Sequence, residues 1–349
     1  MGRAGLCDRA GERTVRHGGS PERPVTDSVL VVIPCLNEAD HIAALLGRLL
    51  SEPSPVDLLV VAADGGSQDG TIEIIEAAAA ADPRVRLLAN PKKIQSAGVN
   101  LAVKRYGEGR EWLVRVDAHG DCPENFVPRL IEQARRVGAP SVVVTMQARG
   151  ATCFQKGVAA AQNSILGNGG AAHRRQAAGG WTDHGHHALI ALSDFRELGG
   201  YDEAFAVNED IDFDWRLAGA GRGVWLSSDL AVTYYPRRSP LGLWRQYFRF
   251  GAARVRTLRR HGRQLARRQF VVLSVAPAAA LATFGLFWPP LALPAAVWAA
   301  GSCGYGLLLA IQARQACAAW AGPAAMIMHF AWSVGYWSER LRVRDGPVP

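Results

Sequence analysis

Short apolar runs alternate with amphipathic stretches through the first half of the chain. The runs are rich in β-branched residues and too short for most helices, which is typical of strands buried in a parallel sheet. The stretches between them carry apolar residues at helical spacing. The pattern predicts strands at 28–34, 57–63, 85–88, within 113–121 and at 141–146, and helices at 40–50, 71–81, 95–106 and 123–137. This alternation indicates an α/β fold with a doubly wound, mostly parallel sheet.

The beginning and the end of this domain carry two further expectations. Asn37 or Asp40 is expected to cap the first helix, because both residue types accept hydrogen bonds from exposed helix amides. Two separate short strands, near 224–226 and near 231–235, are expected to close the domain.

A long uncharged region follows in the C-terminal part. No charged side chain occurs between Gln269 and Ala313, and Pro289-Pro290 divides this run into two segments. Each is close to the ~20 residues that cross a bilayer. A third uncharged segment, 315–338, precedes a basic tail. Because arginines favour the cytoplasmic side, two spans plus an interfacial or re-entrant segment are expected, with three spans and an external tail as the alternative.

The formal net charge of +8 comes from one segment. Residues 237–268 contain eleven arginines and no acid, so the rest of the chain is net negative. The uncharged region that follows favours an anionic membrane surface as the partner of these arginines, and no nucleic acid is expected. The predicted divisions are a disordered leader at 1–27, a catalytic domain at 28–236, an arginine-rich interfacial segment at 237–268 and a membrane region at 269–349.

The leader and the cysteines bear on the compartment. The leader is rich in Arg, Gly and Pro and lacks the apolar core of a signal peptide. The six cysteines are scattered, without a C-x-x-C pair, and are interpreted as reduced thiols. The catalytic part is therefore expected to face the cytoplasm at the inner membrane.

Polar loops follow the predicted strands and should meet at one edge of the sheet. Ligands of open α/β sheets bind beyond the carboxyl ends of the strands. The loops contain Asn37-Glu38, the glycine-rich run 64–67, Asp117-Ala118-His119 and, further along, Glu209-Asp210. Their convergence is more specific than any one of them alone.

The Asp117-x-His119 spacing offers a carboxylate and an imidazole to one divalent ion, although a strand followed by Asp and Gly is also a common turn. An acidic edge repels a nucleotide diphosphate unless a cation lies between, so a phosphate ligand here implies Mg²⁺ or Mn²⁺. Asp64 and Glu38 suit hydrogen bonds to a base and a ribose, with turn or N-cap roles as the alternative.

Four motifs in this order resemble the family 2 glycosyltransferases, which have the GT-A fold. They are Val-Val-Ile-Pro-Cys-Leu-Asn-Glu, Asp-Gly-Gly-Ser-Gln-Asp-Gly-Thr, Arg-Val-Asp-Ala-His and Asn-Glu-Asp-Ile-Asp-Phe-Asp-Trp-Arg, and the resemblance covers roughly residues 28 to 260. Asp-Ala-His in place of Asp-x-Asp, with the later Gln246 segment and membrane helices, is similar to the succinoglycan-biosynthesis (ExoA-like) branch.

The resemblance implies a role for each matching residue. Pro34, Asn37, Glu38 and Asp64 would line a uridine pocket, Asp117 and His119 would hold the metal and the diphosphate, and Asp210 would be the general base. Imidazole is a softer ligand than a second carboxylate, so His119 favours Mn²⁺.

The chemistry at Asp210 is coherent from first principles. An acceptor hydroxyl is a poor nucleophile until a carboxylate takes its proton. Repulsion from Glu209, Asp212 and Asp214 is expected to raise the pKa of Asp210, although such clusters are often solvated helix starts. A single in-line attack would invert the anomeric carbon.

The acceptor site is predicted from four residues: His187, Glu209, Gln246 and Arg249. The segment from Gln246 to Phe250 resembles the Gln-x-x-Arg-Trp motif of polysaccharide synthases, with Phe in place of Trp. An amphipathic interfacial helix explains the same residues, and both roles can hold together. The histidines near 187 can order an acceptor loop or be structural.

These observations predict a membrane-anchored, inverting glycosyltransferase. It would move a hexose, glucose by preference, from a UDP-sugar to a lipid-linked saccharide in exopolysaccharide or cell-envelope synthesis. A polyprenyl-phosphate hexosyltransferase is the alternative enzyme. A catalytically idle scaffold that binds membrane or nucleic acid through its arginines is the alternative of another class.

Overall fold

The computed structural model describes residues 27–51, 56–169 and 179–342. The predicted leader therefore lies outside the described residues, apart from Asp27, which begins the first strand. The strands are β1 Asp27–Cys35, β2 Val56–Asp64, β3 Val85–Ala89, β4 Trp112–Arg115, β5 Ser141–Ala148, β6 Gly180–Thr182, β7 His186–Ala191 and β8 Val224–Tyr234. The helices are α1 Ala39–Leu50, α2 Thr71–Ala81, α3 Gln95–Tyr106, α4 Phe126–Val137, α5 Cys153–Asn163, α6 Ile165–Asn168, α7 Leu192–Glu197, α8 Glu209–Gly219, α9 Pro240–Arg260, α10 Arg267–Leu273, α11 Val275–Ala282, α12 Leu293–Ala313 and α13 Ala321–Arg342.

Strands β1 to β8 form one mixed sheet in the order β3-β2-β1-β4-β7-β5-β8-β6. Neighbouring strands from β3 to β4 are parallel, whereas β7 runs antiparallel between β4 and β5. The predicted α/β fold with a mostly parallel sheet is thus confirmed. In the parallel part, Cys35 of β1 stands beside Asp64 of β2, so the loops after these strands begin side by side.

Helices cover both faces of the sheet because each turns an apolar stripe toward it. On one face, α1 contributes Ile42 and Leu46, while α4 contributes Phe126 and Leu130. On the other face, Val99 of α3, Phe195 of α7, and Phe213 and Leu217 of α8 pack against the strands. Helix α8 carries Glu209 and Asp210 in its first turn, so this packing holds both carboxylates at the sheet edge.

Two expectations of local structure are wrong. Glu38 is the N-cap of α1, without a side-chain cap bond. Asn37 instead has φ of 57° and its side chain accepts a hydrogen bond from the Gln68 amide, so it braces the next loop, while Asp40 lies in the first turn of α1. The two short strands expected near 224–226 and 231–235 are one strand, β8. Its register with β5 shifts between Val144 and Thr145, and this irregularity accommodates the polar residues between the two expected strands.

The C-terminal region contains two helical segments long and apolar enough to cross a membrane, Arg267–Leu286 and Pro289–Ala313. Their apolar side chains are largely exposed to the surroundings: 94% for Leu286 and 88% for Phe287, which lie at the turn between the two segments. Exposed apolar surface on this scale is suited to lipid.

The third uncharged segment forms α13, which packs along α9 and against α5. Gly251 of α9 and Gly335 of α13 lie at the crossing, where an added Cβ would overlap the backbone of the other helix. Small residues at these positions let the two backbones approach closely. Helix α13 therefore ties the arginine-rich α9 to the apolar segments.

A disulfide corrects the expectation that the cysteines are reduced thiols. Cys153, at the start of α5, is bonded to Cys317, in the 3₁₀ turn Ala316–Trp320 between α12 and α13. The other described cysteines, Cys35, Cys122 and Cys303, are free. A separation of 164 residues hides the pair from sequence reasoning, and only the packing of α5 against this turn brings the two thiols together.

The variant Cys153→Ser should be less stable by about 2–4 kcal/mol, because a cross-link over such a long loop restricts the unfolded chain. Thermal unfolding of the detergent-solubilised protein measures the loss, and Cys303→Ser is the matched control. Thiol labelling of the denatured, unreduced protein should modify Cys35, Cys122 and Cys303 but neither Cys153 nor Cys317. Labelling of Cys153 in that experiment contradicts the assignment.

Candidate active site

The loops that follow β1 and β2 are bonded to each other. The Gly65 amide donates to the Cys35 carbonyl, and the Asn37 amide donates to Ser67 Oγ at 2.8 Å. The Glu38 amide donates to Thr71 Oγ1, also at 2.8 Å. The structure thus brings two of the four predicted loops together through backbone amides, which makes this part of the sheet edge rigid.

Asp64 is buried and organises its own loop. One carboxylate oxygen accepts hydrogen bonds from the amides of Gly66 and Ser67, and the other accepts one from Ser67 Oγ at 2.5 Å. These contacts are the turn role that the sequence left open as an alternative. A carboxylate has about four lone-pair sites, so one remains for a further donor. Pro34, which was assigned to the same pocket, is buried in β1 beside Ala63.

Asp117 lies just after β4 among basic and polar groups. Its carboxylate oxygens are 3.4 Å from Arg115 Nη2 and 3.6 Å from His186 Nε2, and Gln95 Nε2 donates to it at 3.4 Å. Burial alone would raise the pKa of Asp117, but the charges of Arg115, His186 and His119 lower it to about 2. Asp117 is therefore an anion throughout the physiological pH range.

His119 is paired with Glu38 from the first loop. Its Nδ1 lies 2.9 Å from Glu38 Oε1, and its ring lies 6.2 Å from the ring of Tyr234 at the end of β8. The hydrogen bond to Glu38 is the main reason that the pKa of His119 is raised above its ordinary value. Glu38 thus orients His119, a role that sequence reasoning missed when it placed Glu38 beside uridine.

The acidic cluster of α8 separates into members with different tasks. Asp212 is fully buried and is bonded to Arg216 and His261, while Asp214 accepts a hydrogen bond from the Gly185 amide. Both therefore stabilise the fold. Glu209 is buried and bonded to Arg115 at 3.1 Å, whereas Asp210 is only half-buried. Among these four acids, Asp210 is the most exposed.

Burial, and then the neighbouring charge of Asp210, raises the pKa of Glu209 to about 7. The sequence had predicted a raised pKa for Asp210 from mutual repulsion of all four acids. For Glu209, burial raises the pKa more than repulsion does. The raised pKa expected for Asp210 stays a prediction. Glu209 therefore changes its charge near neutral pH, next to the proposed base.

Glu209 should make the stability of the protein depend on pH. Its folded-state pKa of about 7 is above its ordinary value of 4.5, so its stabilising contribution is complete below pH 4.5 and is lost as the pH rises through 7. The melting temperature of wild type should therefore fall by about 5 °C more than that of Glu209→Gln between pH 5 and pH 8. His119 titrates in the same direction in both proteins and cancels in the difference. Parallel pH profiles for the two proteins contradict the assignment.

Arg115 is the site residue that sequence reasoning missed. It is a buried cation at the end of an apolar strand, and it contacts both Asp117 and Glu209. A charged residue inside an otherwise apolar run is the sequence signal that points to it, because a buried charge needs partners. Arg115 links the Asp117 side of the site to the Glu209–Asp210 side.

The predicted acceptor residues are distributed unevenly. Gln246 of α9 donates to Tyr234 Oη at 3.0 Å, so it reaches the ring that faces His119. Arg249 is exposed on α9. The backbone of His187 pairs with Val143 in the sheet, and its side chain lies outside what the structure describes.

Asp117 and His119 fit a divalent cation that arrives with a diphosphate. In the described residues, no group of three or more His, Cys, Asp and Glu side chains could hold a metal ion. Mg²⁺ at phosphate sites takes one or two protein ligands and completes its shell with phosphate oxygens and water. A carboxylate that holds the second ring nitrogen, as Glu38 holds Nδ1 of His119, is the usual support of a metal-bound histidine. Because the pKa of His119 is raised, a cation must compete with its proton.

Comparisons with known proteins identify similar sequences. The sequence profile described as glycosyl transferase family 2 matches residues 30–199. Succinoglycan biosynthesis protein ExoA of Rhizobium meliloti is 46% identical over 325 residues, which are 93% of this chain and 98% of that protein. A polyprenol monophosphomannose synthase of Mycolicibacterium smegmatis is 35% identical over 127 residues, which are 35% of this chain and 47% of that protein.

A solved structure has the same fold. Mannosyltransferase PcManGT of Pyrobaculum calidifontis, in complex with GDP-Man and Mn²⁺, superimposes with a TM-score of 0.54 and 17% sequence identity. The superposition covers 91% of this chain and 88% of that one. The likeness extends through most of the chain, well beyond the matched profile.

Proposed function

Because the chain belongs to the family 2 glycosyltransferases and has their GT-A fold, we propose that it transfers a hexose, glucose by preference, from a UDP-sugar to a lipid-linked saccharide. The family resemblance and the assignment as a glycosyltransferase are confirmed. The single observation that supports the finer proposal is the pair of contacts that Arg115 makes with Asp117 and Glu209, which join Asp117 to the helix that carries Asp210. The match to ExoA over nearly both full lengths supports a role in exopolysaccharide synthesis.

Each side of the site has its own task in the proposed reaction. The acceptor hydroxyl oxygen attacks the anomeric carbon, the bond from that carbon to the diphosphate breaks, and the hydroxyl proton passes to Asp210. A single displacement inverts the anomeric carbon. Asp117 and His119 would hold the cation, Mn²⁺ or Mg²⁺, which when bound neutralises charge on the departing diphosphate. Asn37 and Asp64 hold the loops at which the nucleoside would bind.

We also infer that the apolar segments Arg267–Leu286 and Pro289–Ala313 cross the inner membrane as a hairpin, with the catalytic domain in the cytoplasm. The turn after the second segment contacts α5 and is bonded to it through Cys317, so both ends of the hairpin lie on the catalytic side. Helix α13 packs on α9, which favours two spans over three. An active periplasmic reporter fused after Pro349 contradicts this topology.

The proposed function is tested by incubating membranes that contain the protein with radiolabelled UDP-glucose and Mn²⁺. We expect label in an oligosaccharide diphosphate lipid. The alternative, a polyprenyl-phosphate hexosyltransferase, is favoured by the partial match to the polyprenol monophosphomannose synthase and puts the label in a lipid monophosphate that mild acid cleaves. A donor panel that labels lipid only with GDP-sugars contradicts the uridine assignment. A complete lack of transfer and of donor hydrolysis supports the scaffold.

A further inference from the structure

Arg254 differs from the neighbouring arginines of α9. Arg256 is paired with Glu339 at 2.8 Å, and Arg260 is paired with Asp202 at 2.6 Å. The guanidinium of Arg254 instead has a buried Nε that finds no hydrogen-bond partner among the described residues. Such a donor is costly to bury, so an unmatched one in a site is a sign that a ligand completes it.

The charges around Arg254 place it on the catalytic side of α9. Asp210 and Asp183 attract it, and Arg268, at the base of the apolar hairpin, repels it. Asp183 is already bonded to His184 at 2.8 Å, and one Asp210 oxygen accepts the Ile211 amide. Burial is the main reason that the pKa of Arg254 is lowered.

A guanidinium whose buried Nε finds no partner among the described residues can bind an anion. A guanidinium binds phosphate oxygens through paired N–H donors, and this planar geometry suits phosphate better than a single carboxylate oxygen does. The repulsion between Arg254 and Arg268 becomes an attraction when a phosphate lies between them.

The position favours a phosphate of the acceptor over that of the donor. The donor side of the site has its own charges: Asp117 and His119, with Arg237 acting on His119. Arg254 lies on α9, which packs along α13, and Arg268 belongs to α10 at the start of the apolar segments. A lipid-linked acceptor would approach the site from these helices.

We infer that Arg254, together with Arg268, binds the phosphate of the lipid-linked acceptor and thereby positions the acceptor hydroxyl beside Asp210. The inference rests on the proposed function and adds the residue that recognises the anionic part of the acceptor. Arg254 is a positioning residue here, since it acts on the phosphate and not on the reacting hydroxyl.

Binding measurements on the full-length, detergent-solubilised protein test the inference. Geranylgeranyl diphosphate is the probe for the acceptor phosphate, and UDP with Mn²⁺ is the probe for the donor. Arg254→Gln should weaken geranylgeranyl diphosphate binding about tenfold or more and leave UDP binding within about twofold, because a charge-assisted hydrogen bond is lost. Arg254→Lys keeps the positive charge but lacks the paired N–H donors of a guanidinium, so it should recover part of the affinity for geranylgeranyl diphosphate. Arg245→Gln, which removes one exposed charge from the same helix, is the matched control and should bind both probes as wild type does.

Each other outcome overturns the inference. If Arg254→Gln weakens UDP binding and not lipid binding, the phosphate belongs to the donor. If neither affinity changes while the melting temperature falls, Arg254 is structural. Equal losses in Arg254→Gln and Arg245→Gln mean that general attraction to α9 binds the probe. A failure of the UDP assignment is recognised separately, because GDP then replaces UDP in the donor arm while the lipid arm is still measured.

Discussion

Replacing Asp210 by Asn should lower the rate of sugar transfer by about 10²–10⁴-fold, the usual contribution of a general base. Asparagine has the same shape but cannot accept the hydroxyl proton. Asp210 is the half-buried member of the acidic cluster, whereas the other three acids are buried, so we expect its carboxylate to be the one that meets the acceptor. Helix α8 is held by Phe213 and Leu217 in the core, so the variant should keep its fold. Initial rates with saturating donor measure the loss.

Three readouts separate a lost base from a damaged site. Donor affinity, melting temperature and acceptor affinity should remain within about twofold or a few degrees of wild type, because the Asp64 loop is held by its own amides and Arg115 is bonded to Glu209. Glu209→Gln is the matched variant, since it removes a carboxylate from the preceding position. An Asp210→Asn enzyme that keeps more than a tenth of the transfer rate contradicts the assignment. If Glu209→Gln alone abolishes transfer, Glu209 is the base.

Local patterns were sufficient to predict the scaffold of the site. Helix α3 runs from Gln95 to Tyr106 as its apolar spacing indicates, and the loops after β1, β2 and β4 lie at the carboxyl ends of parallel strands. Both signals are local, because burial of one helix face or of a whole strand constrains every residue in the element. Their convergence then follows from the topology of a parallel sheet.

Pairings between distant residues could not be predicted in this way. The Glu38–His119 contact, the Arg115–Glu209 contact and the Cys153–Cys317 bond each join elements that are far apart in sequence. Such pairs depend on the rotation of one element against another, which no periodicity records. The same limit applies to the pKa of Glu209: the sequence shows the charges of α8 but not that the fold buries Glu209, which raises its pKa.

Replacing Asp117 by Asn should lower kcat/KM for the donor on the order of 10²–10³-fold, because the carboxylate is expected to hold the cation that neutralises the departing diphosphate. The pKa of about 2 keeps this group ionised at every working pH, so wild-type donor binding should not weaken above pH 5 through loss of this charge. Titration of UDP in the presence and absence of Mn²⁺ measures the effect. Metal-dependent tightening of UDP binding should be present in wild type and absent in Asp117→Asn.

His119→Asp is the matched variant, because it creates the Asp-x-Asp spacing of other family members. A second carboxylate is a harder ligand than imidazole, so Mg²⁺ should support this variant better, relative to Mn²⁺, than it supports wild type. Glu38 would then face a carboxylate in place of a basic ring, and the repulsion should lower stability when metal is withheld. If Asp117→Asn keeps the metal-dependent binding of UDP and His119→Asp leaves the metal preference unchanged, the cation is held elsewhere. In that case Arg115 only joins β4 to α8, and the segment from Asp117 to Gly120 is an ordinary turn, as Gly120 also suggests.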